Sequence, residues 1–144
     1  MKRNAGITLI EMLVVMTLIG LLASVATPSV TAGMETVKLR NSAERLAATL
    51  RLARERAVRT RHYFQVTVDP QAHRVELRDL EGDFARDWQM PETISVKVDH
   101  VLLFQFGPDG SVPSLHVDLE NSKKRVASVD MDAFTALPAI SETR

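Results

Sequence analysis

The sequence predicts an α+β protein: a long N-terminal helix, half transmembrane and half amphipathic, packed on an antiparallel β-sheet head of about six or seven strands. Three observations predict it. Residues 7–26 form an apolar run in which Glu11 is the only ionisable side chain. A 4-3-4-3-4 spacing of apolar residues follows at Leu39, Ala43, Leu46, Leu50, Ala53 and Ala57, the period of one helix face. From Tyr63 onward the period shortens to two and β-formers dominate, as in half-buried strands. The boundaries that follow are 1–6, a basic leader; 7–30, a membrane helix; 31–61, an amphipathic stem helix; and 62–144, the head.

The apolar run is long enough to cross a bilayer, since twenty residues at ~1.5 Å each reach ~30 Å. Glu11 is out of place there. A carboxylate within such a span costs on the order of 3 kcal/mol by insertion scales, and a buried charge normally has a partner. Nothing else in the run can neutralise it, so the partner comes from outside the segment. A free amino group, made by a cut just before Ile7, is one candidate. Two ordinary readings compete: a secretory signal peptide with Ser24-Val25-Ala26 as its small-residue site, and a simple membrane anchor that tolerates an acid. The run exceeds the usual 7–15 residues of a signal peptide, it contains Glu11, and Pro28 follows closely.

The stretch Lys2-Arg3-Asn4-Ala5-Gly6 followed by Ile7-Thr8-Leu9-Ile10-Glu11 resembles the leader and mature start of type IV pilins and pseudopilins. The family pattern is a short basic leader ending in Gly, an apolar first mature residue, and a Glu four residues later. The resemblance implies cleavage between Gly6 and Ile7 by an inner-membrane prepilin peptidase, and methylation of the new Ile7 amine. It also implies that Glu11 pairs with the Ile7 amine of a neighbouring subunit during assembly.

The chain has 144 residues, enough for one folded domain beyond an anchor. Its net charge is zero but segregated. Residues 35–61 hold eight Lys/Arg against three Asp/Glu, a net of +5, and residues 62–144 hold eight against fourteen, a net of −6. There are no cysteines, so no disulfide supports the fold. Lys2 and Arg3 precede the apolar run, and the positive-inside rule places that end in the cytoplasm and the head across the membrane.

Pro28 lacks an N–H and clashes with the turn before it, which predicts a kink or interruption of the helix over residues 28–33. A Pro at this distance from the Glu also resembles the kink of type IV pilins. In the stem, Val58 is expected to widen the apolar stripe, and Arg40, Arg45, Arg51, Arg54, Arg56, Arg59 and Arg61 fall mostly off it. These arginines invite a nucleic-acid reading. No aromatic residue interleaves with them to stack bases, and the acidic head would repel phosphates. The reading preferred is a solvated or inter-subunit face, with DNA an unlikely partner.

In the head, 63–68 and 74–78 read as a hairpin about Asp69-Pro70-Gln71-Ala72-His73. Residues 79–91 read as a polar loop that holds Phe84 and Trp88, both expected to cover a core edge. Strands are expected at 94–98 and 101–106, then at 115–119 and 125–129 after the Gly107-Pro108-Asp109-Gly110 turn. A short edge strand is expected over 133–137, ended by Pro138. This order of a helix and antiparallel strands resembles the GspH/FimT family of the pilin superfamily. The resemblance implies a minor pseudopilin of type II secretion, with a FimT/FimU-like minor type IV pilin as the alternative. It also implies its partners: other minor and major pseudopilins, the prepilin peptidase, the inner-membrane assembly platform and membrane lipid.

No catalytic constellation stands out. His62, His73, His100 and His116 lack metal-ligand spacing, and Ser111 and Ser114 have no recognisable base nearby in sequence. The acidic stretch Asp79-Leu80-Glu81-Gly82-Asp83 with Asp87 has calcium-type ligands but not the EF-hand pattern, so a solvated loop is expected. No enzyme activity, metal or cofactor is expected.

Overall fold

The computed structural model describes residues 8–133, 135 and 137–143, and the side chains of all of these except 25–32 and 143. Helix α1 runs over Leu9–Thr60 and is followed by eight strands: β1 (Phe64–Asp69), β2 (Arg74–Asp79), β3 (Ala85–Gln89), β4 (Ile94–Val96), β5 (Leu102–Phe106), β6 (Leu115–Asn121), β7 (Val126–Met131) and β8 (Pro138–Thr143). The chain divides into two compact units, residues 1–34 and 35–144.

In the first unit the helix opens on Thr8, whose Oγ1 accepts from the Glu11 N–H at 3.3 Å. Thr8 O accepts from the Glu11 and Met12 amides. Thr8 is thus an N-cap and Glu11 stands three residues on, the spacing of a capping box. The helix assignment continues through Pro28 without interruption. Among the described residues no helix is long and apolar enough to cross a membrane; the described apolar side chains before residue 25 cover residues 9–24, ~24 Å of helix.

The second unit is built on the stem stripe. Leu39, Ala43, Leu46, Leu50, Ala53 and Ala57 are all at most 3% exposed. Val58 departs from the expectation: it is 49% exposed, and Ala47, at 2%, widens the stripe instead. Ala47 lies four residues beyond Ala43 and keeps its angular position, whereas Val58 turns ~100° from Ala57. The helix ends on Arg61, which takes a left-handed φ of 62° and donates its N–H to Ala57 O at 3.0 Å, as a helix-terminating residue does.

The head is two antiparallel four-stranded sheets, ordered β3-β2-β1-β5 and β4-β6-β7-β8. Helix stripe and both sheets share one hydrophobic cluster, which includes Phe64, Leu77, Phe106, Ile94 and Leu119. Two expectations are corrected. The 79–91 stretch is not all loop, because Ala85–Gln89 pairs with β2, with Trp88 opposite Val75. Strand β3 escapes a pattern search because only Trp88 along it is buried, and charges are normal on an edge strand. The final strand is Pro138–Thr143, not 133–137, and Pro138 begins it opposite Met131. A missing N–H is tolerated at the first residue of an edge strand. Among the described residues the head has eight strands, where about six or seven are expected.

The hairpin turns close by side-chain capping. Asp69 Oδ1 accepts from the Gln71 and Ala72 amides, both at 2.9 Å, and Asn121 Oδ1 accepts from the Lys123 and Arg125 amides, both at 3.0 Å. At the turn after β5, Gly110 adopts a φ of 81°, a conformation that favours glycine.

Among the described residues all of the buried apolar side chains lie from Leu39 onward, so residues 35–144 carry a core of their own. In a 35–144 fragment, Leu50→Ala removes a side chain with no exposure and is expected to cost about 3 kcal/mol. Val58→Ala is expected to change stability by less than about 0.5 kcal/mol. Urea unfolding of the two variants measures both.

Candidate functional site

The N-terminal features predicted as sites divide between described and undescribed residues. Gly6 and Ile7 lie outside the described residues, as does the side chain of Pro28. Glu11 is exposed in the first turn of α1, where the helix dipole favours an acid. No cation among the described residues pairs with it. Around it the helix shows apolar side chains to every side: Leu9 is 84% exposed, Ile10 71% and Leu22 72%. A helix that is apolar all round needs lipid or other helices as cover.

The stem arginines are not a uniform solvated face. Arg40 pairs with Glu44 at 2.8 Å, Arg59 reaches Glu55 at 4.0 Å, and Arg51 donates to Pro138 O at 3.2 Å. Arg45 lies over the Trp88 ring at 4.7 Å and Arg56 over the Phe84 ring at 4.2 Å. Trp88 is 8% exposed and donates Nε1–H to Thr49 Oγ1 at 3.2 Å. Both aromatic residues of the 79–91 stretch therefore cover a core edge.

The acidic stretch is organised by Asp79, which is 7% exposed and so not a solvated loop residue. Its Oδ1 accepts from the Glu81 and Gly82 amides, and its Oδ2 lies 3.0 Å from His62 Nδ1. Glu81 accepts from the Tyr63 amide, and Asp87 pairs with Arg74 at 3.1 Å. These carboxylates are already held by protein donors. Among the described residues no group of three or more His, Cys, Asp or Glu converges to hold a metal ion.

A second histidine pair stands on the other sheet. His116 Nε2 lies 3.0 Å from Asp118 and its Nδ1 2.5 Å from Asp130. His73 Nδ1 lies 3.1 Å from Ile94 O. Ser111 donates to Asp109 at 2.6 Å, and this contact holds the Asp109 carboxyl below its ordinary range. Neither histidine pair was legible in the sequence, because His62 and Asp79 lie 17 residues apart and His116 and Asp130 lie 14 apart.

The comparisons agree with this architecture. A family described as the prokaryotic N-terminal methylation motif matches residues 1–27. A second, described as type II transport protein GspH, matches residues 42–133. The type II secretion system protein H of Xanthomonas campestris pv. campestris is 37% identical over 75 residues, which are 52% of this chain and 44% of that protein. The match thus spans less than half of that relative's length. The minor pseudopilin EpsH of the type 2 secretion system of Vibrio cholerae superposes with a TM-score of 0.59 at 12% identity, over 73% of this chain and 97% of EpsH. A long helix carrying a two-sheet antiparallel head is the pseudopilin fold. The chain belongs to the type II transport protein GspH family.

The histidine pairs fix a pH response for the head. Hydrogen bonding to Asp79 raises the His62 pKa against the opposing effect of burial. The bond to Asp130, with the nearby Asp118 charge, raises that of His116. For Asp79, burial pushes upward, but the bonds from His62, Glu81 and Gly82 prevail and lower it. A raised His contributes stability fully below its unfolded value of 6.5 and loses it as pH climbs through the folded value. A lowered Asp contributes above 3.8 and loses that contribution in acid. Between these limits the head is most stable. Its Tm is expected to fall as pH rises from about 6 to about 8, and the fall is expected to flatten in a His62→Gln, His116→Gln double variant. Thermal melts across that range measure it.

Proposed function

We propose that the protein is a minor pseudopilin of a type II secretion system, a low-copy subunit near the tip of the pseudopilus that supports protein export across the outer membrane. The observation that carries this reading is the joining, on one chain, of an N-terminal methylation motif over residues 1–27 to a GspH match over 42–133. The relative named type II secretion system protein H supports secretion over the FimT/FimU-like pilus alternative.

In this reading the prepilin peptidase cuts between Gly6 and Ile7 and methylates the Ile7 amine. The helix over 7–30 sits in the inner membrane, with the cleaved end cytoplasmic and the head periplasmic. Glu11, exposed at the first turn, meets the Ile7 amine of a neighbouring subunit, so that both charges lose their desolvation penalty together. Pro28 kinks the helix above that contact. Lipid and other pseudopilin helices cover the apolar faces, the assembly platform extracts the subunit, and other minor and major pseudopilins are its partners. The role is structural and involves no catalysis.

Mass spectrometry of protein recovered from its native membrane is expected to show a mature chain that starts at a methylated Ile7. An intact residue 1–6 leader would overturn the reading. Glu11→Ala is expected to leave membrane insertion unchanged and to abolish recovery in sheared or crosslinked pseudopilus fractions. Unchanged incorporation would remove the ion pair from the account.

A further inference from the structure

One seam of the head carries charge that no ion pair among the described residues balances. Arg45, Thr49, Leu52 and Arg56 recur at 4-3-4 spacing along one face of α1, and that face meets Phe84 and Trp88, just before and within β3, one of the two edge strands of its sheet. Arg45 caps Trp88 and Arg56 caps Phe84. Arg86 stands opposite Leu77 while Trp88 stands opposite Val75, so Arg86 projects on the helix side of the sheet. None of the ion pairs among the described residues includes Arg45, Arg56 or Arg86. The Arg56 Nε is buried and has no hydrogen-bond partner among the described residues. Between the arginines a cavity of about 140 Å³ opens, lined by Arg45, Ala48, Leu52, Leu77, Arg86 and Trp88.

The backbone beside this cavity is also open. Strand β3 pairs with β2 on one side only, and no other backbone hydrogen bond among the described residues involves 85–89. A free strand edge accepts an extended chain ~4.8 Å away. Alternate side chains of that chain would fall on the helix side, beside Arg86 and over the cavity.

We propose that the β3 edge is a docking site for an extended acidic segment of a partner protein, added to the sheet as a further strand. On its helix-facing side the segment places an apolar residue in the cavity and carboxylates on either side of it, against Arg45, Arg86 and Arg56. Guanidinium forks suit carboxylates. The inference concerns the head alone and does not depend on the secretion reading.

Trp88 is the only tryptophan of the chain, so intrinsic fluorescence reports this seam and nothing else. The full-length protein in detergent is titrated with an end-blocked peptide of about seven residues, Thr-Glu-Thr-Leu-Thr-Glu-Thr. A saturable change in Trp88 emission is expected. Arg45 and Arg86 are both exposed, so Arg45→Glu, Arg86→Glu is expected to fold, with a Tm lowered by no more than a few degrees as the Arg45–Trp88 contact is lost. It is expected to bind the acidic peptide on the order of tenfold or more weakly, and to gain affinity for the counterpart with Lys in place of Glu. Ser in place of Leu, or N-methylation of the amides that face β3, is expected to abolish binding. No response to the acidic peptide overturns the proposal. So does equal affinity in the charge-reversed protein, and so does an Arg-dependent response to a single-stranded oligonucleotide in place of the peptide. If the double Glu variant melts early, Arg86→Gln with the same Lys and Glu peptides decides the matter.

Discussion

The head depends on how closely one helix face approaches two sheets at once. Ala43, Ala53 and Ala57 have no exposure, and neither do Leu46 and Leu50 between them. Small residues let the helix backbone settle near the sheets, and large ones fill the space that remains. Interiors pack at crystal-like density, so each alternation is felt by its neighbours. Phe64 and Phe106, opposite each other on β1 and β5, are also without exposure, and the stripe is part of what covers them. Lengthening a small residue here would drive helix and sheet apart, which costs about as much as a cavity of similar size.

Around that ridge, polar side chains do the local fastening. Asp79 ties the end of β2 to the loop after it and to His62 just past the helix. Thr49 holds the Trp88 indole while its own hydroxyl donates to Arg45 O at 2.8 Å. At the far end of the stem, Ser122 donates to Glu35 and Arg125 donates to Thr36 at 3.0 Å. With no cysteine available, these bonds, the Arg51 bond to Pro138 O and the cation–aromatic contacts link stem and strands. Each is worth on the order of 1 kcal/mol, so they orient elements that hydrophobic burial already holds.

What could be read in advance follows from how local each signal is. The stripe from Leu39 to Ala57 was legible because helical period is written in consecutive residues, and it held at all six positions. The β1–β2 hairpin was legible because Asp69-Pro70 is turn chemistry between alternating runs. Strand β3 was not, since Arg86, Asp87 and Gln89 hide the pairing of an edge strand in charge. Strand β8 was misplaced because Pro138 reads as a terminator when it stands at a strand's first residue. The division into two sheets was beyond reach for a different reason: β4 skips β5 to pair with β6, and no local pattern encodes that choice. At the N-terminus, the Glu11 anomaly was plain in the sequence, but the capping role of Thr8 needed the hydrogen-bond geometry.

The open edges of the two sheets are guarded unequally, and that inequality says where this molecule meets others. Strand β8 begins with Pro138, and β4 is three residues long; both are devices that discourage pairing. Strand β3 carries Arg86 and Asp87. Strand β5 reads Leu-Leu-Phe-Gln-Phe, with no charge and no proline, and Leu103 on it is 62% exposed. An uncharged edge attracts any extended chain, whereas a charged edge attracts only a complementary one. The difference matters for a subunit that must avoid indiscriminate association. Burial of β5 requires shape alone, while β3, with its unbalanced arginines, imposes a sign on its partner. Selectivity in this head therefore resides at the β3 end of the first sheet, and its hazard at the β5 end.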